Sequence, residues 1–162
     1  MAASDRTATN GGGTRRVVVL VVFFAVTFAA AGIGSRFLPG AWYAGLVKPS
    51  WNPPNWIFAP VWSVLYVMIA IAGALAFNED RRSAANIAWA LQIVLNCLWS
   101  YLFFGLHRPG LAAIDIVALW CSIGTFVMLA RRDSPAASLL FLPYWAWVTF
   151  ASALNFAIVA LN

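Results

Sequence analysis

Residues 39–62 read PGAWYAGLVKPSWNPPNWIFAPVW, and the rest of the chain is organised around them. These 24 residues hold five of the chain's eight prolines and four of its nine tryptophans, between two segments that are almost wholly apolar. Proline fixes φ at about −65° and has no N–H to donate. Pro49, Pro53, Pro54 and Pro60 therefore predict a loop, neither a continuous helix nor an inner strand. Yet the stretch is too aromatic for a solvated linker, because Trp and Tyr bury a large ring and keep one polar atom to pair. The expectation is a folded lid of Trp side chains covering a space between the flanking segments.

Those flanks are membrane spans. With 162 residues, 63% of them hydrophobic, 9% charged and a mean hydropathy of +0.82, the chain has too few charges to coat a soluble globule. Crossing a hydrocarbon core of ~30 Å takes ~20 helical residues. Five stretches qualify: 17–34, 57–77, 84–105, 110–130 and 136–161. Each is bounded by charge, proline or glycine, and none has lysine or arginine in its middle. The alternating ten-residue segments of a membrane β-barrel are absent from the pattern. The fold class is all-α: an integral membrane bundle of five transmembrane helices, with a Trp/Pro-rich folded loop between helices 1 and 2.

Residues 1–14, with Ser, Thr, Asn and the run Gly11–Gly13, have a composition that cannot pack a core and are expected as a disordered tail. Residues 15–162 form a single membrane domain. Arg15 and Arg16 ahead of VVVLVVFFAVTFAAAG also have the form of a secretory signal. The reading adopted is a retained first helix, since removing it strands four spans without a packing partner. Basic residues then set the orientation. Arg6, Arg15, Arg16, Arg81, Arg82, Arg131 and Arg132 fall on one side, and Arg36, Lys48 and Arg108 on the other. The positive-inside rule puts the N-terminus in the cytoplasm and the Trp-rich loop with the C-terminus outside. The net charge of +5 suits anionic headgroups and implies no nucleic-acid partner. The bias fits the inner membrane of a bacterial cell.

Polar atoms inside the spans carry the functional signal, because a polar group in hydrocarbon is costly unless it is paired or faces a cavity. In the third span Trp89, Gln92, Asn96, Trp99 and Phe103 recur at steps of three and four, placing two amides and three aromatics on one helical face. Tyr144, Trp147 or Val148, Ala151 and Asn155 do the same in the fifth, and Trp62, Tyr66 and Ile69 in the second. Two readings stand. The amides are glue between helices, each worth ~0.6 kcal/mol or somewhat more, or they are the few polar contacts of an aromatic-walled pocket. Both hold if the pocket lies between the helices. Asp115, the one acid within a span, is a functional candidate as an intramembrane carboxylate, but its place near the interface and Arg108 favours a structural pairing. Cys97 and Cys121 read as free thiols and His107 as an interfacial residue, so no metal site is expected. Small residues four apart, such as Ala30 and Gly34, allow close helix contact and hence a dimer.

The runs WYAGLVKPSWNPPNW, PVWSVLY, QIVLNCLWSYLFFG and LPYWAWVTFASALNF, in this order and spacing, resemble the translocator protein family, also called tryptophan-rich sensory proteins or peripheral-type benzodiazepine receptors. The likeness extends from about Gly34 to Asn155. It implies a five-helix bundle, often a homodimer, with a pocket under the first loop that takes porphyrins, haem-related tetrapyrroles, sterols or isoquinoline-type compounds as ligands, with no obligatory cofactor. Carried over by position, it implies ligand contacts at Trp42, Trp51, Trp62, Tyr66, Asn96, Trp99, Trp147 and Ala151. Mitochondrial members also carry a cholesterol-recognition segment with a Tyr and then an Arg at the end of the last helix. Here the chain reads LNFAIVALN, without that hydroxyl and cation, which speaks against sterol at that place.

A receptor or sensor binding tetrapyrroles in porphyrin and stress homeostasis is the function this suggests. Some bacterial relatives are associated with light- and oxygen-dependent porphyrin breakdown, which makes an enzyme with Trp51 and Trp147 as catalytic candidates the alternative. A transporter of tetrapyrrole or sterol is a further one, although no inverted repeat or pair of broken helices supports it. No nucleophile and base at catalytic spacing are visible, so any chemistry must come from ligand, light and indole.

Overall fold

The computed structural model describes residues 5–77 and 83–162, with side chains described from Gly12 onward. The chain forms α1 (Asp5–Gly34), α2 (Ala41–Gly45), α3 (Phe58–Ala76), α4 (Ala84–Ser100), α5 (Pro109–Asp133) and α6 (Pro135–Leu161). No strand occurs among the described residues. Five of these helices are long and apolar enough to cross a membrane, over Gly12–Gly34, Asn55–Ala76, Ala84–Gly105, Pro109–Asp133 and Pro135–Leu161. α2 is a short piece inside the first loop.

The helix ends follow local chemistry. Ser83 caps α4 by accepting a hydrogen bond from the Asn86 N–H at 3.3 Å. Pro109 and Pro135 open α5 and α6, where a missing N–H costs nothing. Arg131 and Arg132 occupy the last turn of α5, the negative end of its dipole. α4 closes through a wider π-helical turn, Tyr101–Gly105, in which the Leu106 N–H reaches the Tyr101 carbonyl at 2.8 Å. His107 then takes the left-handed φ of 54° that reverses the chain.

Two expectations meet a different structure. The proline-rich stretch is not loop throughout: it contains α2 and a 3-10 turn at Asn55–Ile57, and Pro60 lies in the first turn of α3. The first turn of a helix makes no use of its N–H groups, so Pro60 is tolerated as the third residue of α3, inside the span expected over 57–77. α1 begins at Asp5, so the stretch expected as a tail is helical from there on, Gly11–Gly13 included. Once a span is nucleated, each added residue fixes one φ/ψ pair and gains one hydrogen bond.

α5 packs between α4 and α6, α3 packs on α6 and α1, and α1 also touches α4. The shared core runs through Ile69, Ile116, Ile123, Phe126, Phe141 and Tyr144. α1 is the most peripheral span, and Val17, Val18, Val21 and Val22 face outward as lipid-facing residues do. Hydroxyls bridge helices by donating to backbone carbonyls of a neighbour: Ser122 Oγ donates to Ala88 O at 3.0 Å, and Ser138 Oγ to Val127 O at 2.9 Å. Gly73 is a point of close approach between α3, α1 and α4. The Phe23 ring and the Trp89 indole occupy the space a Cβ there would need, while Trp89 Nε1 donates to the Ile69 carbonyl at 3.0 Å.

The two ends of the bundle are chemically distinct. At one, the first loop, the α4–α5 turn and the C-terminus meet: Trp42 stacks on His107, and Asn162 bonds to Val47. At the other, Arg15 and Arg132 line one recess together with the start of α4.

Candidate functional site

Between α1, α3, α4, α5 and α6, at the end carrying the first loop, lies a cavity of about 340 Å³. Its lining residues Ser35, Leu38, Pro39, Asn55 and Ala59 are exposed, which puts the mouth between the chain leaving α1 and the start of α3. Phe37, Phe58, Trp62, Trp99, Phe103, Phe104 and Trp147 make the walls aromatic. Ala151 and Gly34 keep them apart by their small size.

The polar atoms come from the helical faces that the sequence periodicity marks out. Tyr66 Oη donates to Asn96 Oδ1 at 3.0 Å, and Asn96 Nδ2 donates to the Tyr144 hydroxyl at 3.2 Å, so one amide ties α3, α4 and α6 together. Trp99 Nε1 donates to Asn155 Oδ1 at 3.0 Å, while Asn155 Nδ2 donates to the Pro109 carbonyl at 2.9 Å. Asn96 and Asn155 are thus both glue and cavity lining, since Tyr66, Asn96, Trp99 and Asn155 all face the space. Among the described residues no acidic or basic side chain lines it. Aromatic walls with a few convergent polar atoms are the chemistry of an apolar small-molecule pocket.

Of the eight contacts carried over by resemblance, Trp62, Tyr66, Asn96, Trp99, Trp147 and Ala151 line the cavity. Trp42 and Trp51 do not. Trp42 stacks on His107 with centroids 4.3 Å apart and meets the Phe103 ring edge-on at 5.7 Å. Trp51 is 47% exposed and packs against Phe150 at 5.8 Å. Both indoles clip the loop to the rim, Trp42 to the α4–α5 turn and Trp51 to α6. The reason is that the loop is tied to itself. Tyr43 Oη donates to Asn52 Oδ1 at 3.2 Å, and Lys48 Nζ donates to Leu46 O at 2.9 Å and stands 4.8 Å over the Tyr43 ring. Burial raises the Tyr43 phenol above its ordinary pKa, so it stays a neutral donor. Tyr43 is the residue of this unit that faces the cavity; the indoles face its flanks.

Sequence reasoning missed Phe37, Leu38, Tyr43, Phe58 and Phe104 as lining residues. Phe37 and Leu38 had no periodic signal, because only the path of the chain after α1 turns them inward. Phe104 follows Phe103 directly, and the π-helical turn brings both neighbours to the wall. Asp115 departs from its expected pairing. It is 7% exposed, its Oδ2 has no partner, and it does not reach Arg108. Gln92, on the same face as Asn96, is fully buried with both amide atoms unpaired, and Thr27 Oγ1 is likewise unpaired. No group of three or more His, Cys, Asp or Glu able to hold a metal is present among the described residues.

The sequence model of the TspO/MBR family matches residues 17–161. The chain belongs to the TspO/MBR family. The protein CrtK of Rhodobacter capsulatus is 41% identical over 144 residues, which are 86% of this chain and 90% of that protein. A tryptophan-rich protein TspO of Chlorobaculum tepidum is 43% identical, over 85% of this chain and 89% of that protein. The human translocator protein is 34% identical, over 78% and 79% respectively. With five membrane-length helices and this membership, the chain is a multi-pass integral membrane protein.

Proposed function

We propose that this protein is a membrane receptor or sensor that binds tetrapyrroles, and similar apolar ring compounds, in the cavity beneath its first loop. The observation that supports it is an aromatic cavity lined, among the described residues, by no charged side chain, in which Asn96 and Asn155 present polar atoms. A flat macrocycle stacks on Trp62, Trp99 and Trp147, and an amide reaches its polar edge. Lys48 Nζ already donates to the Ala44 and Leu46 carbonyls within the loop, which leaves one N–H for a carboxylate arm. Arg36 is exposed between the lining residues Ser35 and Phe37, at the mouth, and is the cation such an arm would meet. The name of one relative, a tryptophan-rich sensory protein of Cereibacter sphaeroides, supports the sensory part of this reading. A homodimer and an inner-membrane location belong to the same reading.

A porphyrin-degrading enzyme is the second reading, favoured by one feature. Trp51, Phe150 and Trp147 touch in series, with centroids 5.8 and 5.5 Å apart, and so connect an exposed indole to the cavity wall. With light and dioxygen supplied, an indole against the excited ring is an electron donor.

Titrating purified protein with protoporphyrin in the dark tests the binder. Saturable quenching of Trp fluorescence is expected, weakened at least ten-fold in Asn96→Ala and in Ala151→Leu, which fills the wall without removing a hydrogen bond; the threshold of about 1.4 kcal/mol is the factor-of-ten conversion. Trp51→Ala should bind as the wild type does. Equal affinity in all four proteins would refute the cavity. Under illumination in air, a product formed by wild type and lost in Trp147→Phe would establish the enzyme.

A further inference from the structure

The end of the bundle away from the cavity holds a second recess of about 420 Å³, lined from α1, α3, α4, α5 and the start of α6. We propose that it seats the phosphodiester headgroup of an anionic membrane lipid. Its polar wall is Arg15, Arg132, Ser83, Ser134 and the carboxylate of Asp133. Its apolar wall is Leu75, Phe77 and Leu129. Two guanidiniums from separate helices facing one hollow supply the planar N–H forks that phosphate oxygens accept from. Each guanidinium has five N–H donors, so a contact within the protein leaves donors for a ligand.

The occupant is a lipid, as three observations indicate. The recess lies where five membrane-length helices begin or end, at the level of the headgroups. Its wall is split between polar and apolar residues, matching a charged headgroup that continues into glycerol and acyl chain. Ser134 lines the recess and its hydroxyl makes no cap bond to α6, so that hydroxyl is left to donate to a phosphate oxygen at the lip. Asp133 opposes an anion, and among the described residues the two arginines outnumber it.

Arg16 and Arg131 give the proposal its control. They adjoin Arg15 and Arg132 in sequence, carry the same charge, and do not line the recess. The full-length protein in a neutral detergent is titrated with short-chain phosphatidylglycerol, short-chain phosphatidylcholine or inorganic phosphate, and its melting temperature is followed. Phosphatidylglycerol should raise the melting temperature saturably, and the other two should not. Arg15→Gln and Arg132→Gln should each raise the apparent Kd about five-fold, one basic residue's share of headgroup attraction. Arg16→Gln and Arg131→Gln should leave it unchanged. Equal losses in all four variants would mean diffuse attraction and overturn the site. An equal response to phosphatidylcholine or to inorganic phosphate would overturn the anionic lipid as occupant. If Arg132→Gln fails to fold, Arg132→Lys replaces it: the point charge keeps part of the affinity but not the bidentate fork, and wild-type affinity in it would count against the proposal.

Discussion

Gly73 shows how much of this bundle depends on single atoms. In a membrane the gain from association comes from close packing, hydrogen bonds and lipid entropy, so small residues mark the places where helices meet. At Gly73 the Trp89 indole and the Phe23 ring fill the space that a Cβ would take, and Trp89 also bonds to the Ile69 carbonyl. Gly73→Ala should therefore destabilise the protein by about 1–3 kcal/mol through overpacking. Gly32→Ala, where nothing lies within 4 Å, should be tolerated. Thermal unfolding in detergent compares the two, and similar melting temperatures would contradict this account of the contact. Asn96 is the polar counterpart, a single amide that holds hydroxyls from α3 and α6 at the cavity wall.

The first loop is best understood as a strap with its own internal ties and three fastenings. Tyr43, Lys48 and Asn52 hold it together; Trp42 on His107, Trp51 on Phe150 and Val47 on Asn162 hold it down. The last of these is a two-way bond. Asn162 Oδ1 accepts from the Val47 N–H at 3.0 Å, and its Nδ2 donates to the Val47 carbonyl at 2.9 Å. The side-chain amide thus pairs with a backbone peptide as a neighbouring strand would. Asn162→Ala should release this segment while leaving the spans in place. Limited proteolysis in detergent should then cut within residues 46–52 several-fold faster than in wild type, and an unchanged cutting rate would show that the two indoles suffice.

Across the whole molecule, charge is unevenly shared between the ends. Arg15, Arg16, Arg131 and Arg132 belong to one end, and Arg36, Lys48 and Arg108 to the other. Arg6, Arg81 and Arg82, which the same expectation counted, lie outside the described side chains. The positive-inside rule applied to this asymmetry predicts a cytoplasmic N-terminus. Five crossings then put the C-terminus on the far side. Reporters fused to either end, one active only in the cytoplasm and one only outside it, should give opposite readings with the N-terminal fusion cytoplasmic. The reverse pair would invert the orientation and move the basic recess to the outer leaflet.

Five spans, their helical nature and the face of α4 bearing Gln92, Asn96 and Trp99 were all legible in the sequence. Hydropathy over some twenty residues and a period near 3.6 are local properties that lipid enforces strictly. Pattern could not say which aromatics face inward where the backbone has no period. Trp42 and Trp51 look like cavity residues in a proline-rich run, yet the contacts among Tyr43, Lys48 and Asn52 turn them to the rim. Phe37, Leu38 and Phe58 enter the cavity only because the chain doubles back between α1 and α3. The unpaired Asp115 and Gln92 belong to the same class: spacing puts them on buried faces, and their partners depend on which helix packs opposite. Local chemistry determined the spans and their polar faces; tertiary packing decided what each loop side chain meets, because those contacts join residues distant in the chain and follow no repeat along it.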